Sequence, residues 1–219
     1  AAFRAGAELM ATLQLLITTK DAVYADRFEE LVWPALDRET RWTLGTALRA
    51  LPHFGPAYKE RLRPYAVKYG EELAALEKEN PYGVPIGTRG WAGNEQVIGW
   101  AQTNADLHAA YPDLVSAEQV LRGLHYILGR HPASNVSFVS AVGTRSKKIA
   151  YGNNRADYTF IAGGVVPGVL VLKPDFPENK EDWPFLWGEN EYVIDICAHY
   201  VLLAHLAHDL VTREGGAQR

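Results

Sequence analysis

Apolar residues recur at spacings of three and four along most of the chain, the period of helices that bury one face. Residues 2–18 are rich in Ala and Leu and read as a helix. Tyr24, Phe28, Leu31 and Val32 predict a second helix over 21–32, ended by Trp33-Pro34, because a proline removes an interior hydrogen bond. Residues 38–51 predict a third, and Pro52 to Pro56 a turn. Pro64 suits the first turn of a fourth helix that runs to about Lys78, with Tyr65, Val67, Tyr69, Leu73 and Leu76 along its length. After a Pro- and Gly-rich loop over 80–90, residues 91–110 return to the helical period with Val97, Ile98, Ala101, Ala105 and Leu107. Ser116 and Gln119 are spaced as a capping box for a helix over 117–128.

From 129 to 189 the period is lost, although 136–142 and 165–172 read as short strands. Irregular segments this long inside a compact domain are usually functional. Periodicity resumes in a last helix over 192–211. Apolar residues occur on nearly every side of it, which predicts burial all round. Asp195, His199 and His205 interrupt it, and its length falls short of a membrane span. The expected fold class is therefore all-α: helical hairpins stacked as part of a helical barrel or toroid, with one long irregular loop region feeding the final helix. No repeat of fixed period is visible.

Composition narrows the function classes. Of 219 residues, 47% are hydrophobic, which supports a real core. A formal charge of −4 leaves no electrostatic footprint for nucleic acid. Cys197 is the single cysteine, so the chain has neither an internal disulfide nor a cysteine-rich zinc site. The N-terminal residues lack an initiating Met, and Glu8 interrupts what would be the apolar part of a signal peptide. The chain starts inside a helical pattern and is expected to be a piece of something longer.

The chemistry concentrates before the last helix. Glu189 and Glu191 stand at its mouth, preceded by Trp183, Phe185 and Trp187. A carboxyl between aromatic walls is a candidate for acid–base work. Glu191 is the candidate acid; Glu189 is its rival, or a rim residue. Asp195 follows Glu191 by one helical turn and is expected to hold a buried structural hydrogen bond. His205, His208 and Asp209 have a spacing that can hold a metal but equally marks the polar end of a helix. The acidic run over 175–182 reads as a solvated rim rather than a calcium loop. No metal or cofactor is assigned.

Five segments in order carry a family resemblance. They are Asn80-Pro81-Tyr82-Gly83-Val84-Pro85; Gly90-Trp91-Ala92-Gly93-Asn94; Tyr126 to Gly129 followed by Pro132 and Val136 to Val139; Arg155 followed by Gly168 to Val171 and Pro174; and Asn190-Glu191-Tyr192-Val193-Ile194-Asp195. Together these resemble the family-nine glycoside hydrolases, the cellulase-type enzymes, over residues 80–210. The resemblance implies an (α/α)6 barrel and hydrolysis of β-linked glucans with inversion. It implies that Glu191 is the general acid and that Arg155 contacts sugar. Asn154 and Tyr151 beside that arginine, with Trp91, Tyr82 and Trp187 as stacking platforms, complete the expected substrate-binding set. It also implies a secreted or periplasmic protein whose partner is a polysaccharide or oligosaccharide.

Three features depart from the family pattern. Asn153-Asn154 stands where the family has His-His before the arginine, Ile196 replaces an aromatic, and the paired-aspartate motif of the catalytic base is absent. The chain then corresponds to the C-terminal portion of a catalytic domain, 1–219. The base comes from an N-terminal segment or companion chain outside it. The alternative is a carbohydrate-binding toroid that has lost its base. Half a barrel would expose an apolar wall, so a companion is expected to cover it.

Overall fold

A computed structural model of the chain describes residues 2–86, 93–130, 135–147, 160–168 and 192–217. The described elements are six α-helices and one short 3₁₀ turn. They are α1 (Ala2–Thr19), α2 (Ala22–Arg49), the 3₁₀ turn (Leu51–His53), α3 (Pro56–Glu77), α4 (Gly93–Ala110), α5 (Ala117–Ile127) and α6 (Ile194–Ala217). The chain divides into two compact units, Ala1–Glu72 with Asp106–Val115, and Leu73–Ala105 with Ser116–Arg219.

In the first unit, Leu9, Thr12, Leu13 and Leu16 form the buried stripe of α1. α1 packs on α2 through a tight turn in which Lys20 takes φ 59. Asp21 then caps α2, accepting from the Val23 N–H at 3.0 Å. Two prolines sit where the pattern alone misplaces helix ends. α2 runs through Pro34 and breaks at Glu39 instead, with φ −145 and ψ 66. Val32, Trp33 and Leu36 are buried around Pro34, so packing offsets the lost hydrogen bond. Likewise α3 starts at Pro56, not Pro64, and Pro64 lies inside it. Tyr58, Leu62, Ala66 and Tyr69 keep one buried face unbroken across that proline. An aromatic ladder joins α2, the turn and α3: Phe54 stacks on Tyr58 at 4.5 Å between centroids, and Trp33 meets Tyr58 at 4.9 Å.

The second unit is built on α4, α5 and α6. The predicted capping box is present: the Ser116 hydroxyl accepts from the Gln119 N–H, and Gln119 Oε1 accepts from the Ser116 N–H. Gly123 lets α5 approach α4 closely, because a Cβ there would lie 2.7 Å from Ala101 Cβ. No strand forms among the described residues of the two predicted segments, and 169–172 lie outside them. Residues 135–147 and 160–168 carry only isolated bridges, Ser137 to Ser146 and Val139 to Val165. Their apolar positions are nevertheless buried: Phe138, Val139, Val165 and Val166 join Ile127 and Ile196 in one core. Burial, not sheet pairing, accounts for the pattern.

The last helix also departs from expectation. α6 buries Ile196, Leu203 and Ala207, while Ile194 is 89% exposed and Val201, Leu202 and Val211 are exposed too. Among the described residues its burial is confined to one stripe. By length and composition alone, Ile194–Arg213 is apolar enough to cross a membrane, at a mean hydropathy of 1.3. Its histidines lower that mean less than Val201, Leu202 and Leu203 raise it, contrary to the expectation from its polar interruptions.

Gly123→Ala should cost about 1–3 kcal/mol, because a methyl forced between packed helices overfills the core. The check is the urea midpoint, with Gly99→Ala as control, since a Cβ at Gly99 meets nothing within 4 Å.

Candidate active site

The residues predicted to do chemistry, Glu191, Arg155, Asn154, Tyr151, Trp91 and Trp187, lie outside the described residues, as do Glu189, Trp183 and Phe185. What the second unit does define is how the described parts of the family-like segments are held together.

Asn94 is central to that linkage. It is fully buried in the first turn of α4. Its Nδ2 donates to the Val166 carbonyl at 2.7 Å, and its backbone N–H donates to the Pro167 carbonyl at 2.8 Å. The Gly93 N–H donates to the Gly168 carbonyl at 3.0 Å. The first N–H groups of a helix have no intrahelical acceptor, and here a loop seventy residues on supplies two of them. Gly168 takes φ +68, and a Cβ on it would lie 2.8 Å from Asn94 Nδ2. That position therefore needs glycine on both counts.

The same loop is tied to the start of α6. Tyr192, next to Glu191 in sequence, hydrogen-bonds Ser140 Oγ through its hydroxyl at 2.7 Å and accepts from the Ile161 N–H at 3.3 Å. Gly164 gives its ring room: a Cβ there would sit 2.6 Å from Tyr192 Cε1. The Val165 N–H donates to Cys197 Sγ at 3.3 Å, so the lone cysteine is an acceptor in the scaffold as well as a packing residue. Gln102 Nε2 donates to the His199 carbonyl at 2.8 Å and joins α4 to α6.

Charge gathers where α4 and α6 begin. Burial raises the pKa of Glu95, the Asp195 carboxylate raises it further, and His199 opposes both. Pattern reasoning passed over Glu95, which looks like an ordinary acid in the first turn of a helix; its tertiary neighbours set it apart. Asp195 does not hold the expected buried bond. α6 starts at Ile194, so Asp195 lies in its first turn, exposed, with Oδ1 accepting from the Ile196 N–H at 2.9 Å. Glu191 lies outside the described residues, and so does its expected placement one turn from Asp195 on a shared face.

Tyr82 is no sugar platform either. It is 9% exposed and packs against Tyr126 at 5.5 Å. Its segment is fixed by Asn80, whose Nδ2 donates to the Val84 carbonyl at 2.6 Å and whose Oδ1 accepts from the Tyr82 N–H at 3.0 Å. Arg122 holds the turn from outside, donating to the Gly83 carbonyl at 3.3 Å and pairing with Glu77 and Glu118. His208 and Asp209 are exposed at the far end of α6, 3.8 Å apart. Among the described residues, no group of three His, Cys, Asp or Glu side chains is placed to hold a metal ion.

No family model matches the sequence, and no curated protein matches it either. Solved structures do match its fold. A thermostable endoglucanase of Alicyclobacillus acidocaldarius matches with TM-score 0.69 at 18% identity, covering 90% of this chain and 42% of that one. The GH family 9 endoglucanase J30 matches with TM-score 0.67 at 22% identity, over 90% of this chain and 41% of that one. The cellulase Cel9M of C. cellulolyticum matches with TM-score 0.68 at 18% identity, over 92% and 49%, and has also been solved with cellobiose. The chain thus has the helical fold of these enzymes, as its motifs implied, and spans less than half the length of each.

Asn94→Ala should destabilise the protein by about 1–3 kcal/mol, since the Val166 carbonyl then loses its buried donor. Hydrogen exchange should speed up at the amides of Val165, Val166 and Gly168 more than along α5.

Proposed function

We propose that this chain forms the acid-bearing portion of a cellulase-type glycoside hydrolase that cleaves β-linked glucans with inversion. The observation that carries it is the fold match to endoglucanases over 90% of the chain, with the Asn190-Glu191 signature directly before α6.

Inverting hydrolysis needs one protonated carboxyl to donate to the leaving oxygen and one ionised carboxyl to activate water, about 6.5–9.5 Å apart. Glu191 is the donor in this reading. The positive end of α6 favours its anion. Desolvation by Trp183, Phe185 and Trp187 must outweigh that to keep the proton on near neutrality. Arg155, with two planar donors, binds neighbouring sugar hydroxyls, helped by Asn154 and Tyr151. Trp91 and Trp187 stack on pyranose faces.

The base comes from a segment outside residues 1–219, supplied by an N-terminal portion or companion chain. That segment would also cover the open apolar side of α6. Secretion to the cell exterior or periplasm fits a polymeric substrate that cannot enter a cell. A second reading, a carbohydrate-binding toroid that has lost its base, is favoured by Asn153-Asn154 standing where the family has His-His and by Ile196 standing where it has an aromatic.

The chain alone should not hydrolyse β-glucan, and a preparation containing the companion segment should. There, Glu191→Gln should lower kcat by at least about 10²-fold on unactivated glucan, as expected for a lost general acid. An aryl glucoside with a good leaving group should lose much less. Reducing-sugar release measures both, and equal activity of wild type and variant on both substrates contradicts the assignment.

A further inference from the structure

The first unit holds a cavity of about 620 Å³ that none of the proposed chemistry uses. It lies where the end of α2, the 3₁₀ turn, the start of α3 and the end of α4 meet, and that volume falls within the range of small-molecule sites. Its walls are largely apolar, with Leu48, Phe54 and Pro56 among them. Three charged side chains share it: Arg49 from α2, Lys59 from α3 and Asp106 from α4. The turn contributes no charged residue to the lining. Arg49 is exposed, and among the described residues no ion pair joins it to Asp106. Lys59 Nζ stands 5.3 Å from the centre of the Tyr111 ring, which orients it, and the Asp113 carboxylate that feels its charge is itself paired with Arg63 outside the lining.

We propose that this cavity binds an amphipathic carboxylate, its apolar body against Leu48, Phe54 and Pro56 and its anionic head between Arg49 and Lys59. Two cations against one carboxyl give the lining an excess of positive charge, which selects an anion over an amine. The apolar walls select a hydrocarbon or aryl body over an inorganic ion. Asp106 sets the pH dependence. Burial pushes its pKa up to about 6, with Arg49 opposing. Below that pH it is neutral and donates a hydrogen bond to the ligand's head; above it, its charge repels the same head.

The test titrates the whole chain with 3-phenylpropanoate and with its uncharged analogue 3-phenylpropan-1-ol, followed by NMR shifts at Leu48, Phe54 and Ala109. The acid should bind at least about tenfold tighter than the alcohol at pH 5.5, and at least about threefold weaker at pH 7.5 than at 5.5. Arg49→Gln, at an exposed position, should abolish the preference for the acid. Asp106→Asn should keep binding and flatten its pH dependence. The proposal is overturned by an absence of shifts at these residues, by equal binding of acid and alcohol, or by an Asp106→Asn profile that still falls between pH 5.5 and 7.5.

Discussion

The second unit depends on how α4 is received by the loop ahead of the candidate acid. A helix begins with N–H groups that its own backbone cannot satisfy, and leaving them buried and unpaired is costly. Here the carbonyls of Val166, Pro167 and Gly168 receive the Asn94 side chain and the first two amides of α4. The loop thereby acquires a fixed position without being part of a sheet. Val165 passes that position on to Cys197, and Tyr192 locks it through Ser140 and Ile161. Tyr192, the residue next to the candidate acid in sequence, is thus held by two segments distant in sequence.

Much of this fold was legible because its determinants are local. The capping box at Ser116, the 3.6-residue period of α1, α4 and α5 and the Asn80 turn all act within a few residues. The misplaced boundaries have a common origin. Pro34 and Pro64 would end an isolated helix, yet Trp33, Leu36, Leu62 and Ala66 are buried around them, and packing outweighs the missing hydrogen bonds. The apolar run over 136–139 was a true signal of burial misread as a strand, since a loop threaded through a core is buried as well. Tyr82 shows the same ambiguity for aromatics: nothing in a sequence distinguishes a ring facing a sugar from one facing Tyr126.

The α6 helix carries the main lesson about composition. A helix that is apolar on all sides predicts all-round cover, and among the described residues only one stripe of α6 is buried. The fold match spans less than half of each enzyme cited. The sites were legible only as motifs. Glu95, which shares its electrostatic surroundings with Asp195 and His199, has no motif and emerges from tertiary proximity alone.

Function in this account reduces to whether one carboxyl keeps its proton while standing before the positive end of a helix. Direct titration of the Glu191 side chain, by carbon-detected NMR on protein that cleaves β-glucan, measures this without reference to rate. The account predicts a pKa well above the usual glutamate range, falling when the flanking Trp183 and Trp187 are replaced by alanine. A carboxyl that titrates as an ordinary solvated glutamate, indifferent to those tryptophans, would contradict it.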